Sequence, residues 1–222
     1  MKEIEKNCGE RNMGTKELSP KVMAAYKAII ELFSEGADLS TLTVSEITAR
    51  AGIGKGTVYD YFSNKEEMLA GALYYEMDIT CQEVYKRLKD KKTLYEKMEQ
   101  LLLDMEDYKQ RMGCAFKVIH LLMDNSQVSK QLRELLHERK ERELPLYQLL
   151  QMLVKDELEQ DEKISEEDMI YLVMNLISKL VCYAMYLNHE GIFSDYRIKA
   201  VRERICRDIC REVESCKQAA GD

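Results

Sequence analysis

Twice within one stretch the sequence carries the start signal of a helix. Thr43 is followed by Glu46, and Ser63 by Glu66, the spacing at which a cap hydroxyl accepts from the backbone while the carboxylate returns to the cap. The stretch is TVSEITARAGIGKGTVYDYFSNKEEML, Thr43 to Leu69. After Thr43, Val44, Ile47 and Ala51 recur at helical spacing and Gly52 ends the run. Ile53 and Gly54 make a turn, and a second short helix runs from Lys55 to Phe62, with Val58 and Phe62 four residues apart. A longer helix opens at about Asn64. Upstream, Ser19 and Pro20 start a helix whose one face holds Val22, Tyr26, Ile29, Ile30 and Phe33, and which stops at Gly36. Two short helices joined by a tight glycine turn form a helix-turn-helix.

The glycines admit a second reading, a loop that cradles a phosphate in a nucleotide-binding enzyme. Such a loop needs Gly, four residues, then Gly-Lys-Ser/Thr, after a buried strand. Here Gly56 follows Gly54-Lys55, Ala49 holds the place of the first glycine, and a capped helix precedes the turn. Spacing and context both fail. The helix-turn-helix reading has its own two oddities: Lys55 is a cation in the first turn of a helix, and Gly56 lies inside it at a cost of about 1 kcal/mol relative to Ala. Both make sense if that helix start is pressed against a polyanion. The plainer alternative is a tolerated glycine beside packing tyrosines.

The remainder reads as helix throughout. Helical patterns cover roughly 64–90, 93–111, 114–124, 126–158 with a kink at Pro145, 165–189 and 195–218. Two prolines, no Trp and a charged fraction of 33% suit long amphipathic helices. The expected fold is all-α: a flexible segment over 1–18, a helix-turn-helix head over 19–63, and a larger helical body over 64–222.

Net charge is −7, unpromising for a partner of nucleic acid, but residues 1–65 hold nine Lys/Arg and nine Asp/Glu. The head is neutral and the body carries the whole excess, which permits a DNA-facing head without demonstrating one. The polar opening MKEIEKNCGERNMGTKELSP is neither a signal nor a transit peptide. Seven cysteines then point to free thiols in the cytoplasm. The apolar run Met169 to Leu187 contains Asn175, Ser178 and Lys179, and is expected to be a helix buried between helices and not a membrane span.

The order Ala-Gly-x-x-Lys-Gly-Thr-x-Tyr-x-Tyr-Phe-x-x-Lys-Glu-Glu in this stretch closely resembles the DNA-binding head of the TetR (tetracycline repressor) family of bacterial regulators, over roughly residues 20–75. The resemblance implies a homodimeric transcriptional regulator, a repressor released from a palindromic double-stranded DNA operator by a small-molecule effector. It implies a phosphate contact at Thr43, recognition-helix contacts at Lys55, Gly56, Thr57, Tyr59 and Tyr61, and a phosphate held by Lys65. Two positions depart from the family pattern. Gly54 stands where Ser or Thr is usual, removing a helix cap. Asp60 stands where a neutral or basic residue is commoner; it would accept from cytosine N4 in the major groove but repel a phosphate. The resemblance also implies that the last two helices pair with those of a second subunit. The apolar stripe Ile198, Val201, Ile205, Ile209 and Val213 is the candidate interface.

No catalytic, cofactor or metal constellation is apparent. His120, His137 and His189 are scattered. Cys206 and Cys210 share a helix face with Cys216 beyond, a spacing compatible with a metal or oxidant sensor but commoner in packing. Tyr108, Phe116, His120, Met123, Tyr147, Met152, Tyr171 and Met174 are candidate lining for an adaptable apolar pocket, with ordinary core as the alternative. An interaction protein whose helix-turn-helix contacts another protein is the remaining rival; salt-sensitive binding to duplex DNA separates the two.

Overall fold

The computed structural model describes residues 18–107, 126–138, 145–159, 162–188 and 197–219, and every regular element among them is helical. In chain order they are α1 (Pro20–Ser34), α2 (Val44–Ala51), α3 (Lys55–Tyr59), α4 (Lys65–Leu88), α5 (Leu94–Asp107), α6 (Gln127–Glu138), α7 (Pro145–Lys155), α8 (Glu166–Asn188) and α9 (Ile198–Ala219). The pattern expected over 114–124 lies outside the described residues. The single kinked helix expected over 126–158 is described as two, with Pro145 at the start of the second, where its missing N–H costs nothing.

Helix α1 begins as its sequence requires: Ser19 Oγ accepts from Val22 N at 3.2 Å, and Pro20 takes the first position. It ends at Gly36, whose φ of 98° lets the chain reverse so that Ala37 N reaches Leu32 O at 3.0 Å. Val22, Ala25, Ala28, Ile29 and Phe33 are buried on one face. Helix α4 is the spine. It packs on α1 in the head and on α6 and α7 in the body, and is buried at intervals from Met68 to Leu88. A single apolar core therefore runs from Val22 to Val213 with no break at residue 64.

The crossing of α1 and α4 is close because of one residue. A Cβ on Gly71 would overlap the Tyr26 hydroxyl and lie 2.9 Å from Tyr26 Cζ. The Tyr26 ring lies over the glycine with Phe62 and Tyr75 each 5.8 Å away, centroid to centroid.

In the body, polar groups cross between helices at several places, among them Lys179 of α8 to Glu212 of α9 at 2.7 Å and Arg87 of α4 to Asp104 of α5 at 3.2 Å. Glu106 of α5 accepts from both Tyr183 Oη of α8 and Arg202 Nη1 of α9. Burial first, and then that bond to Glu106, push the Tyr183 phenol well above its ordinary pKa. At another site the buried Lys97 ammonium meets Asp156 at 3.3 Å, and Leu94 N donates to Glu157 at 2.8 Å. Lys217 from α9 reaches Glu157 O at 3.0 Å and Glu162 at 3.0 Å.

Helix α8 corrects an expectation. It is long and apolar enough to cross a membrane by length and composition, yet it is not enclosed by other helices. Met169, Leu172, Val173, Leu176, Leu180 and Tyr183 face inward, whereas Ile170, Tyr171, Met174 and Met185 are 43–61% exposed. Helix α9 shows the reverse. Ile209 and Val213 are buried in the chain's own core, Ile198, Val201 and Ile205 are half-buried, and the outer side carries Arg204, Arg207 and Arg211. A charge at Ile209 would thus unfold the subunit and not merely separate a dimer. Ile209→Ala should cost about 3 kcal/mol in urea unfolding through the cavity it leaves, with the oligomeric state unchanged.

Candidate nucleic-acid interface

The helix-turn-helix is built by local chemistry that the sequence specifies. Thr43 N donates to Glu46 Oε2 at 2.8 Å and Glu46 N to Thr43 Oγ1 at 3.2 Å, closing the capping box. Thr43 Oγ1 also donates to that carboxylate, at 2.6 Å. These bonds hold the Glu46 carboxyl below its usual pKa range. Helix α2 ends at Gly52 with φ 66°, a left-handed conformation that strains any side-chain-bearing residue, and Ile53 N returns to Thr48 O at 3.1 Å. Helix α3 then starts from Gly54, which supplies no side-chain cap, as its departure from the family pattern implies.

Helix α3 is shorter than the pattern suggests. It spans Lys55–Tyr59, and Tyr61 N and Phe62 N both turn back to Val58 O, at 3.1 and 3.0 Å. Asp60 therefore caps the helix and does not lie within it. Val58 and Phe62 face the core, which leaves Lys55, Gly56, Tyr59, Asp60 and Tyr61 exposed and Thr57 half-buried. Tyr59 at 58% and Tyr61 at 45% are large rings held out into solvent. Among the described residues no carboxylate pairs with Lys55.

Gly56 contrasts with Gly36, Gly52 and Gly71. Its φ is not positive, and a Cβ built on it meets nothing within 4 Å. Neither backbone conformation nor internal packing calls for glycine here.

The rest of the unit is tied to its neighbours. Arg50, at the end of α2, grips Glu35 at the end of α1 through two bonds, Nη1 to Oε1 at 2.8 Å and Nη2 to Oε2 at 2.7 Å. The guanidinium beside Glu35 holds that carboxyl low. In the loop between the two helices, Ser40 N and Oγ both donate to Asp38 Oδ1 at 2.8 Å, which depresses the Asp38 carboxyl too. Lys65, the first residue of α4, donates to Ser40 O at 3.2 Å. The cap of α4 falls one residue beyond the expected box: Asn64 Oδ1 accepts from Glu67 N at 2.7 Å, and Ser63 N donates to Glu67 Oε2 at 2.7 Å.

The eight residues Thr43, Lys55, Gly56, Thr57, Tyr59, Asp60, Tyr61 and Lys65 thus fall on α2, α3 and the first turn of α4. Sequence reasoning missed Arg50 and Glu35, whose pairing across the head has no local spacing signal. Of the pocket candidates, Tyr108, Phe116, His120 and Met123 lie outside the described residues, and Tyr147 and Met152 are half-buried. Tyr171 and Met174, each 61% exposed, are corrected: they stand on the outward face of α8 and line no interior space. An open polar cleft of about 360 Å³ lies elsewhere, lined by Asp90, Lys91, Lys92, Glu96, Glu99, Gln100 and Leu103. Burial pushes the Cys206 thiol up to about 12 and Cys210 upward, against the reactive thiolate an oxidant sensor needs.

Two helices at a glycine turn, with the second offering its outer side to solvent, define a helix-turn-helix DNA-binding protein. Residues 26–72 match the family model described as bacterial regulatory proteins, tetR family. The fatty acid metabolism regulator protein of Bacillus subtilis is 32% identical over 83 residues, 37% of this chain and 42% of that protein. An uncharacterised HTH-type transcriptional regulator of the same organism, YxbF, is 35% identical over 68 residues, 31% of this chain and 16% of that one. The chain thus spans less than half the length of these curated relatives. The solved structure of the regulator FadR from B. subtilis, in complex with stearoyl-CoA, shares the fold over 86% of this chain and 96% of that one, at 15% identity and TM-score 0.56. A tetR-family regulator from Streptomyces coelicolor does so over 91% and 83%, at 16% identity and TM-score 0.57. Residues 26–72 thus form a head of the tetR family of bacterial regulatory proteins, and the helical fold of most of the chain is shared with solved transcriptional regulators.

Two of the helix-turn-helix glycines should respond oppositely to alanine. Gly52→Ala should lower stability by roughly 1–2 kcal/mol by forcing a side chain into the left-handed region, whereas Gly56→Ala should raise it by up to about 1 kcal/mol. Denaturant titration reads both. Acid should act on the head through Glu35, Asp38 and Glu46, whose folded values are depressed. Their contribution is complete above ordinary carboxylate values and is lost as pH falls through the folded ones, below about 4. Glu35→Gln should flatten that acid limb in pH-dependent melting.

Proposed function

We propose that this chain is a homodimeric, sequence-specific repressor whose two α3 helices enter the major groove at the half-sites of a palindromic operator. The observation that carries the proposal is Gly56: an exposed glycine in the first turn of α3, with open space around it and no positive φ, has its reason outside the chain. A DNA backbone seated against it supplies that reason. Lys55 and Lys65 then meet phosphates, Thr43 adds a hydroxyl on the adjacent strand, and Thr57, Tyr59, Asp60 and Tyr61 face bases or sugar-phosphate. Thr43 exchanges its bond to Glu46 for one to phosphate. As a working division the head spans 19–63 and the body 64–222, with α4 common to both cores, and the protein acts in the cytoplasm.

The second subunit covers the apolar stripe of α8. Ile170, Tyr171, Met174 and Met185 recur with helical spacing on one exposed face, with exposed Ser178 and Cys182 between them. A row of large apolar side chains in water favours burial against a second copy, and Ile198, Val201 and Ile205 of α9 border it. The effector is a largely apolar molecule seated among the middle helices near Tyr147 and Met152, and a long-chain acyl-CoA is the first to test. The stearoyl-CoA of the FadR structure and the curated fatty acid metabolism regulator both support that choice. Release follows only if the effector prefers the DNA-incompetent state, by about 5.5 kcal/mol in total for a complete switch.

Lys55→Ala and Lys65→Ala should weaken binding to every duplex and flatten its salt dependence by about one unit of slope for each phosphate that is no longer neutralised. Gly56→Ala should weaken specific binding by about tenfold or more, the scale of one mismatched base pair, while the protein itself becomes more stable. Full affinity in all three variants would remove α3 from the DNA. Met174→Glu should leave a folded chain that sediments as a monomer. Acyl-CoA titration of the DNA complex tests the effector, and no change in affinity would exclude that class.

A further inference from the structure

We infer that Tyr26 and Gly71 are positioning residues for DNA recognition, acting as the joint that sets the angle between the helix-turn-helix and the spine helix α4. The inference rests on the DNA-binding function proposed above. Neither residue is placed to touch DNA. Gly71 is buried in the interior of a 24-residue helix, where glycine costs about 1 kcal/mol relative to Ala. Unlike Gly56, it has an internal reason, since the Tyr26 ring occupies the space a Cβ would take.

Two other rings flank the Tyr26 ring. It sits between Phe62, at the end of the recognition segment, and Tyr75, one turn further along α4, each centroid 5.8 Å away. One side chain of α1 therefore touches the recognition segment and α4 together. The surrounding positions Ala25, Ala28, Ile29, Met68, Ala72 and Leu73 are all buried, so α1 and α4 meet through a dry, close-packed surface. A methyl on Gly71 forces the ring away from both Phe62 and Tyr75, or else widens the α1–α4 separation. Each alternative re-aims α3 relative to α4. In a dimer the two recognition helices must reach half-sites about 34–36 Å apart, so a small tilt at this joint is magnified at the groove. Phosphate attraction that ignores sequence does not depend on that register.

The test compares two duplexes: one recovered with the wild-type protein from a random-sequence pool, and an unselected mixed-sequence duplex. Gly71→Ala should lose about tenfold or more in affinity for the selected duplex, as simultaneous engagement of both half-sites fails, and change little toward the unselected one. Adding Tyr26→Leu to Gly71→Ala should make room for the methyl and restore most of the missing discrimination, which a drop in stability alone would not do. If Gly71→Ala does not fold, Tyr26→Leu by itself carries the test: by emptying the space over Gly71 it should lower the ratio of selected to unselected affinity. Wild-type discrimination in whichever folded single variant carries the test, or a double variant as poor as Gly71→Ala, overturns the inference. Failure of the wild-type protein to bind any duplex would instead overturn the DNA-binding reading on which it rests.

Discussion

The crossing of α1 over α4 at Gly71 is the contact on which the rest of the molecule depends. A three-helix head of this size buries too little apolar surface to be firm alone. Its core is completed by the first turns of α4, through Met68, Leu69, Ala72 and Leu73, and the same helix continues into the body as far as Leu88. Because the spine is one continuous helix, whatever shifts its body half is felt in its head half. Directional bonds keep the smaller pieces aligned around it: Arg50 with Glu35, Lys65 with Ser40 O, and the Asp38 turn.

Much of this is legible in the sequence, and the reason is locality. Caps, glycine stops and 3.6-residue periodicity act within a few residues, so Ser19, Pro20, Gly36, Thr43, Glu46 and Gly52 can be read where they stand. The same locality explains the errors. The end of α3 falls where Tyr61 N turns back three residues to Val58 O, a tightening that periodicity does not encode. The α4 cap shifts by one residue because Asn64 and Glu67 compete with Ser63 and Glu66 for one role, and both pairs satisfy the pattern. Gly71 carries the same signal as Gly56, an unfavourable glycine inside a helix. What distinguishes them is a tyrosine 45 positions earlier, visible only in three dimensions.

Helix α8 is the hardest to read for a physical reason. An amphipathic pattern assigns an inner face; a helix apolar on opposite sides assigns none. Residue type alone sends Tyr171 and Met174 to an interior that they do not face, and the apolar stripe of α9, the candidate subunit interface, contributes Ile209 and Val213 to the chain's own core. Charge divides α9 as well: Arg204, Arg207 and Arg211 are exposed, whereas Arg202 is buried against Glu106.

That ambiguity gives the Glu106, Tyr183 and Arg202 cluster a meaning beyond its energy. Hydrophobic burial is indifferent to direction, so apolar content alone does not say which side of α8 turns inward. Hydrogen bonds are directional. Tyr183 must point at Glu106 to donate, and Glu106 is also engaged by Arg202 from a third helix. Only one rotation of α8 brings that phenol to its acceptor, and the same rotation carries Lys179 to Glu212 of α9 at 2.7 Å. Three polar groups act as a key, selecting which side of α8 the molecule keeps for itself and which it shows to the world.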